Sequence, residues 1–171
     1  MEGSIMAQTV YDPPVSTYVP LATYTVTGSP DAEVSFVSIP ASFRDLVLIV
    51  DATSSVGING SVYFNSDTTG ANYPYVRMYG NGSTTSSNSG TNVWFDMQTN
   101  RTMLRIQVMD YSATDKHKTS LSRWDTAQNL VGATAVRWAN TNAINSLTIK
   151  DTSNSATFSV GSTFSLFGIA S

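Results

Sequence analysis

Apolar side chains in this 171-residue chain recur at every second position over short runs, with Gly, Pro, Asn, Asp and Ser gathered between the runs. A period of two is the signature of a half-buried strand, and helical spacing is absent nearly everywhere. The pattern predicts strands over residues 21–27, 33–39, 45–52, 61–64, 73–79, 93–97, 103–111, 117–124, 131–139, 144–150 and 163–169. In the seventh of these, Leu104, Ile106 and Val108 share one face while Arg105, Gln107 and Met109 share the other. Residues 45–52 differ, because Leu46 to Val50 are continuously aliphatic, which predicts a strand covered on both sides. Many short strands with turn residues between them predict an all-β fold: an antiparallel, jelly-roll-like β-sandwich.

Two stretches break the pattern. Residues 1–20 contain Tyr11-Asp12-Pro13-Pro14 and Tyr18-Val19-Pro20. Proline fixes φ and restricts the residue before it, so this stretch is expected to be an extended N-terminal arm ahead of a sandwich domain at 21–171. Tyr11, Pro13, Pro14 and Tyr18 are its candidate contact residues. Residues 80–92 are built from Gly, Asn, Ser and Thr alone. With no apolar side chain to anchor them, they read as an exposed flexible loop, either a solvated connection or a tip that touches a partner.

Composition narrows the function classes. Charged residues are only 12% of the chain and the net charge is −3. Nucleic-acid binding needs clustered basic residues, and nine Lys and Arg are spread along the sequence, so no nucleic-acid partner is expected. Lys116-His117-Lys118 is the single basic knot, expected on an exposed strand edge. The longest apolar run is five residues, Leu46–Val50, too short for a membrane span, and the N-terminus lacks the pattern of a signal peptide. There is no cysteine, so disulfides and thiolate metal sites are excluded.

Catalytic templates find little to work with. A serine triad needs an imidazole base, and His117 is the one histidine, set between two lysines. A glycosidase needs two carboxylates in a cleft; Asp110 and Asp115 flank one loop that Asp96 and Asp125 could approach, and these are the carboxylates to place. Asn65–Asn72 alternates oxygen-bearing side chains around Gly70 loosely like a calcium loop, but lacks the closing glutamate, and a turn explains it equally well. The expectation is therefore a non-enzyme without cofactor or metal. A glycan is the sharper candidate ligand: sugars stack on exposed aromatics, and Tyr73, Tyr75 and Tyr79 share strand parity with Arg77 among them. That row would serve equally as a subunit contact. Trp94, Trp124 and Trp138 are further aromatics to place, the last two expected as core or interface anchors.

Three stretches together carry a resemblance. They are residues 63–73 with Arg77 and 80–83; residues 118–123 with Val136-Arg137-Trp138; and residues 143–149 followed by 161–169, with Tyr24–Gly28, Ile39-Pro40 and Asp45–Leu48 fitting the same set. In these the chain resembles small β-sandwich virion structural proteins of tailed bacteriophages. The resemblance covers roughly residues 21–169 and implies a virion component made in the host cytoplasm. It would be a capsid decoration (cement) protein first and a tail-fibre piece second, with a glycan-binding module as the alternative. It implies the major capsid protein or other virion subunits as partners and a homotrimer by preference, since closed assemblies cover strand edges. Residues 1–20 depart from the pattern and would carry the attachment.

Overall fold

The computed structural model describes residues 17–127 and 129–170. Twelve strands form among them: β1 (Tyr18–Thr25), β2 (Glu33–Phe36), β3 (Asp45–Ala52), β4 (Ile58–Phe64), β5 (Pro74–Gly80), β6 (Thr85–Thr91), β7 (Phe95–Met97), β8 (Thr102–Met109), β9 (Lys118–Thr126), β10 (Val131–Trp138), β11 (Leu147–Asp151) and β12 (Thr163–Ile169). Eight make one antiparallel sheet in the order β1-β12-β3-β8-β9-β10-β5-β6, and four make the other, β2-β11-β4-β7. The chain passes between sheets from β2 to β3 to β4 to β5, so these sequence neighbours lie in different sheets, while β5–β6 and β8–β9–β10 pair in sequence order. This is the expected antiparallel, jelly-roll-like sandwich.

Alternation decides which residues meet between the layers. In β8, Leu104, Ile106 and Val108 are buried and their neighbours are not, as the pattern required. β3 is buried along almost its whole length, again as its aliphatic run required. The centre of the sandwich is aromatic. Phe64 packs edge-on against Trp94 and Trp138, each at 5.5 Å between ring centroids, and Tyr73 lies 6.3 Å from Trp94. β9 makes room for this cluster by turning Ser120 and Ser122 inward, where their hydroxyls donate to the carbonyls of Val136 and Trp94.

Three expectations are corrected. Tyr18, Val19 and Pro20 already belong to β1, so the boundary of the arm falls before them; Tyr11, Pro13 and Pro14 lie outside the described residues. Residues 80–92 are not a loop throughout: 85–91 form β6, hydrogen-bonded along β5 from Pro74↔Thr91 to Gly80↔Thr85. The turn between them is made by Asn81, whose Oδ1 accepts from the N–H groups of Ser83 and Thr84, and by Gly82 at φ +85°. Finally, the basic knot is not on an edge. β9 lies between β8 and β10, and Lys118 is buried, its Nζ donating to the carbonyls of Lys116 and Thr141.

Candidate functional site

The row singled out in the sequence is brought together, but it points inward. Tyr73 is fully buried: its hydroxyl donates to the Asp67 carbonyl and accepts from the Phe64 N–H, and burial pushes its phenol well above the ordinary range. It therefore cannot offer a ring to a ligand, and the reason is local. A turn of 3₁₀ helix at Gly70–Asn72 folds the chain under the sandwich just before β5 begins.

Tyr75, Arg77 and Tyr79 lie on the inner side of β5, half-buried, beyond the edge of the smaller sheet. Arg77 sits 4.8 Å from the centre of the Tyr79 ring and 6.0 Å from that of Tyr75. Its guanidinium donates to Asn88 of β6 at 2.9 Å and to Asp96 of β7 at 2.6 Å. Burial raises the Asp96 carboxyl above its ordinary value and Arg77 pulls against that rise. The row is thus a clasp. It ties the polar strand β6 and the strand β5 to the edge of the smaller sheet through the Nε and Nη1 groups of Arg77.

The other candidates also find structural partners. In the 65–72 loop, Asp67 accepts from the Thr69 N–H at 3.0 Å, from Asn72 Nδ2 at 2.8 Å and from Trp138 Nε1 at 2.8 Å. Burial alone would raise its carboxyl, but these hydrogen bonds outweigh burial and hold it below the ordinary range. Among the described residues no group of three His, Asp or Glu side chains stands together as a metal site. Asp96 and Asp125 lie on opposite sides of the larger sheet, and Asp110 pairs at 3.1 Å with Lys116 near the exposed His117. Trp94, Trp124 and Trp138 are all buried.

What the sequence did not single out is the outer face of the larger sheet. Side chains aligned across β5, β10, β9 and β8 run Val76, Ala135, Leu121, Gln107 in one row and Met78, Ala133, Arg123, Arg105 in the next. A third row adds Gly80, Val131, Asp125 and Met103. Val76, Met78, Leu121 and Val131 are 62%, 67%, 54% and 57% exposed, so four large apolar side chains on three adjacent strands meet solvent together. Beside them is a depression of about 470 Å³ walled by Met103, Arg105, Arg123, Asp125 and Val131.

Charge on this face is lopsided. Asp51 is paired with Arg101 and Asp45 with Arg44, which leaves, among the described residues, Arg105, Arg123 and Arg137 against Asp125. Arg105 and Arg123 stand directly opposite each other on β8 and β9. Arg105 also donates to the Tyr18 hydroxyl at 2.7 Å. A chain of net charge −3 therefore presents an apolar patch with an arginine rim. The signal missed in the sequence was the inversion in β9: Leu121 looks like the core residue of Ser120-Leu121-Ser122, yet it is the one that points out.

No family model matches this sequence, and no curated protein matches it. Among solved structures, the galectin LEC-6 of Caenorhabditis elegans aligns with 84% of this chain and 94% of its own, at 10% identity and a TM-score of 0.37.

Proposed function

We propose that this protein is a non-catalytic structural subunit of a larger assembly, docking through the outer face of its eight-stranded sheet onto an acidic, partly apolar surface of a neighbouring protein. The observation that carries this is the contiguous patch of Val76, Met78, Leu121 and Val131 beside Arg105, Arg123 and Arg137. Large apolar side chains gathered on one sheet face mark an interaction site, because each costs free energy while it stays in water. Aligned arginines repel a second copy of the same face and attract carboxylates, so a partner of another kind fits better than self-packing. Arginine is also well suited to a desolvated contact with carboxylates, which its planar fork meets with two hydrogen bonds.

The assembly we infer is a bacteriophage virion, with the protein as a capsid decoration subunit beside the major capsid protein and a tail-fibre position as the second setting. The sequence resemblance supports this, as does a surface that gains from broad contact rather than from a cleft. Closure into a ring such as a homotrimer would cover the end strands of both sheets. The glycan alternative has lost Tyr73 to the core, and Arg77 occupies the ring faces of Tyr75 and Tyr79.

Particles purified from cells carrying the gene should contain the chain in many copies by quantitative mass spectrometry, and antibody-gold should mark their heads. Recovery of the chain only outside particles would defeat the virion reading. A glycan array with clear, saturable binding by the purified protein would favour the alternative.

A further inference from the structure

An apolar groove of about 430 Å³ runs between the end strands of the two sheets. One wall is β1 from Pro20 to Tyr24 and the other is the stretch Ser35–Pro40 that leaves β2, with Leu166 of β12 completing the lining. No charged side chain lines it, and Val37 is 72% exposed at its rim. Among the described residues β1 pairs only with β12, and β2 only with β11. Among the described residues β1 therefore keeps a row of backbone N–H and C=O groups that no strand of its sheet takes up, the usual template for an added strand, while the Ser35–Pro40 wall offers mainly side-chain surface. Pro20 has no N–H, and the register of β1 shifts between Pro20 and Ala22, so Leu21–Thr25 is the stretch able to receive one.

The chain leads into β1 at Tyr18, at the Pro20–Pro40 end of the groove, and sixteen residues precede Thr17. Seven of them, Ile5-Met6-Ala7-Gln8-Thr9-Val10-Tyr11, carry no charge, and Ile5, Ala7, Thr9 and Tyr11 share one parity. An extended run of this length spans about 23 Å, enough to cover Leu21–Thr25. Folding back onto its own β1 would need a tight reversal within Asp12–Thr17. That stretch holds no Gly or Asn for positive φ, and Pro14 following Pro13 is disfavoured at the third position of a type I turn. Kept extended, the six residues 12–17 carry the strand about 19 Å outward. We propose that residues 5–11 of a neighbouring copy lie in this groove as an added strand along Leu21–Thr25. This rests on the assembly reading only in needing a second copy nearby, and is independent of the outer sheet face.

Because the protein contains no cysteine, two full-length single-cysteine chains report the contact directly. Val10→Cys on one chain and Val37→Cys on the other, carrying different tags, are mixed and mildly oxidised. Disulfide-linked heterodimers are expected in several-fold excess over those from Val10→Cys with Val76→Cys, a control placed six strands away across the larger sheet. Equal yields from the two mixtures would overturn the proposal, as would a doubly substituted Val10→Cys/Val37→Cys chain that links only within itself. Repeating the mixture with Leu121→Asp in both chains separates the two claims. Cross-linking that persists while particle association is lost supports groove and face alike; cross-linking that persists with association intact supports the groove and contradicts the face, and cross-linking absent with and without Leu121→Asp overturns the groove.

Discussion

Arg77 shows what a single side chain can hold. Its guanidinium lies between two tyrosine rings and bonds strands β6 and β7, with only about a tenth of its side chain exposed, and Asp96 is similarly covered. Removing one partner of such a pair strands the other as a buried charge, which costs about 3–5 kcal/mol. Arg77→Ala should lose that much in urea unfolding at neutral pH. The sign of its pH dependence follows from Asp96. Burial already raises that carboxyl, and losing the arginine raises it further, so the folded variant binds a proton more tightly than the unfolded chain does. The deficit should therefore shrink as pH falls towards the ordinary aspartate value of about 3.9. A deficit that stays constant would show that Arg77 acts through packing alone. Asp67 and Asp151 behave oppositely. Burial pulls each upward, but hydrogen bonds from Trp138, Asn72 and Thr69, and from Ser153 and Ser155, leave both depressed. Their stabilisation is present above about pH 4 and is lost as pH drops through their folded values, so Asp67→Asn should flatten the acid side of the stability curve. The sequence revealed that Tyr75, Arg77 and Tyr79 align. It could not reveal that Asp96, nineteen residues on, would meet the arginine, because that contact depends on how two sheets stack.

Strand by strand, legibility followed the number of apolar anchors. Asp45–Ala52 and Thr163–Ile169 were read with the boundaries they have, since aliphatic and aromatic side chains fill both. β6 was missed because all seven of its residues are exposed and none is a large apolar one. Its signal was the turn: Asn81-Gly82 directly after an alternating run is a hairpin signature. β6 hangs on β5 and on the Asn88–Arg77 hydrogen bond, so amide hydrogen exchange over residues 85–91 should be faster than in β8. Arg77→Ala should accelerate it further while leaving the centre of the sheet protected. Unchanged exchange there would remove Arg77 from the account of β6. Packing between elements is tight elsewhere. A Cβ at Gly132 of β10 would lie 2.3 Å from the Trp124 ring, so Gly132→Ala should lower stability by about 1–3 kcal/mol, read as a lower melting temperature. Trp138, covered on all sides and bonded to Asp67, should cost about 3–5 kcal/mol as Trp138→Ala. Near-neutral results at either position would contradict the packing described.

For the molecule as a whole, alternation in the sequence was enough to reach two antiparallel sheets, but not to say which sheet would be left uncovered. Eight strands face four, so the larger sheet extends past its partner, and the burial of Ser120 and Ser122 beneath the aromatic cluster sends Leu121 to the outside. That inversion puts Leu121 on the arginine-rimmed apolar outer face, and it is this face that docks in the function proposed. Particles stripped of the chain and incubated with purified protein give the most direct test, with co-sedimentation read for wild type and for Leu121→Asp. Leu121 is 54% exposed, so the substitution should change the melting temperature little. At a docked interface, losing that burial and desolvating a carboxylate should cost at least about 2 kcal/mol, or roughly 30-fold in affinity. Wild type should pellet with the particles, less so as salt rises, while the folded variant should stay in solution. A variant that pellets as well as wild type would contradict docking through this face.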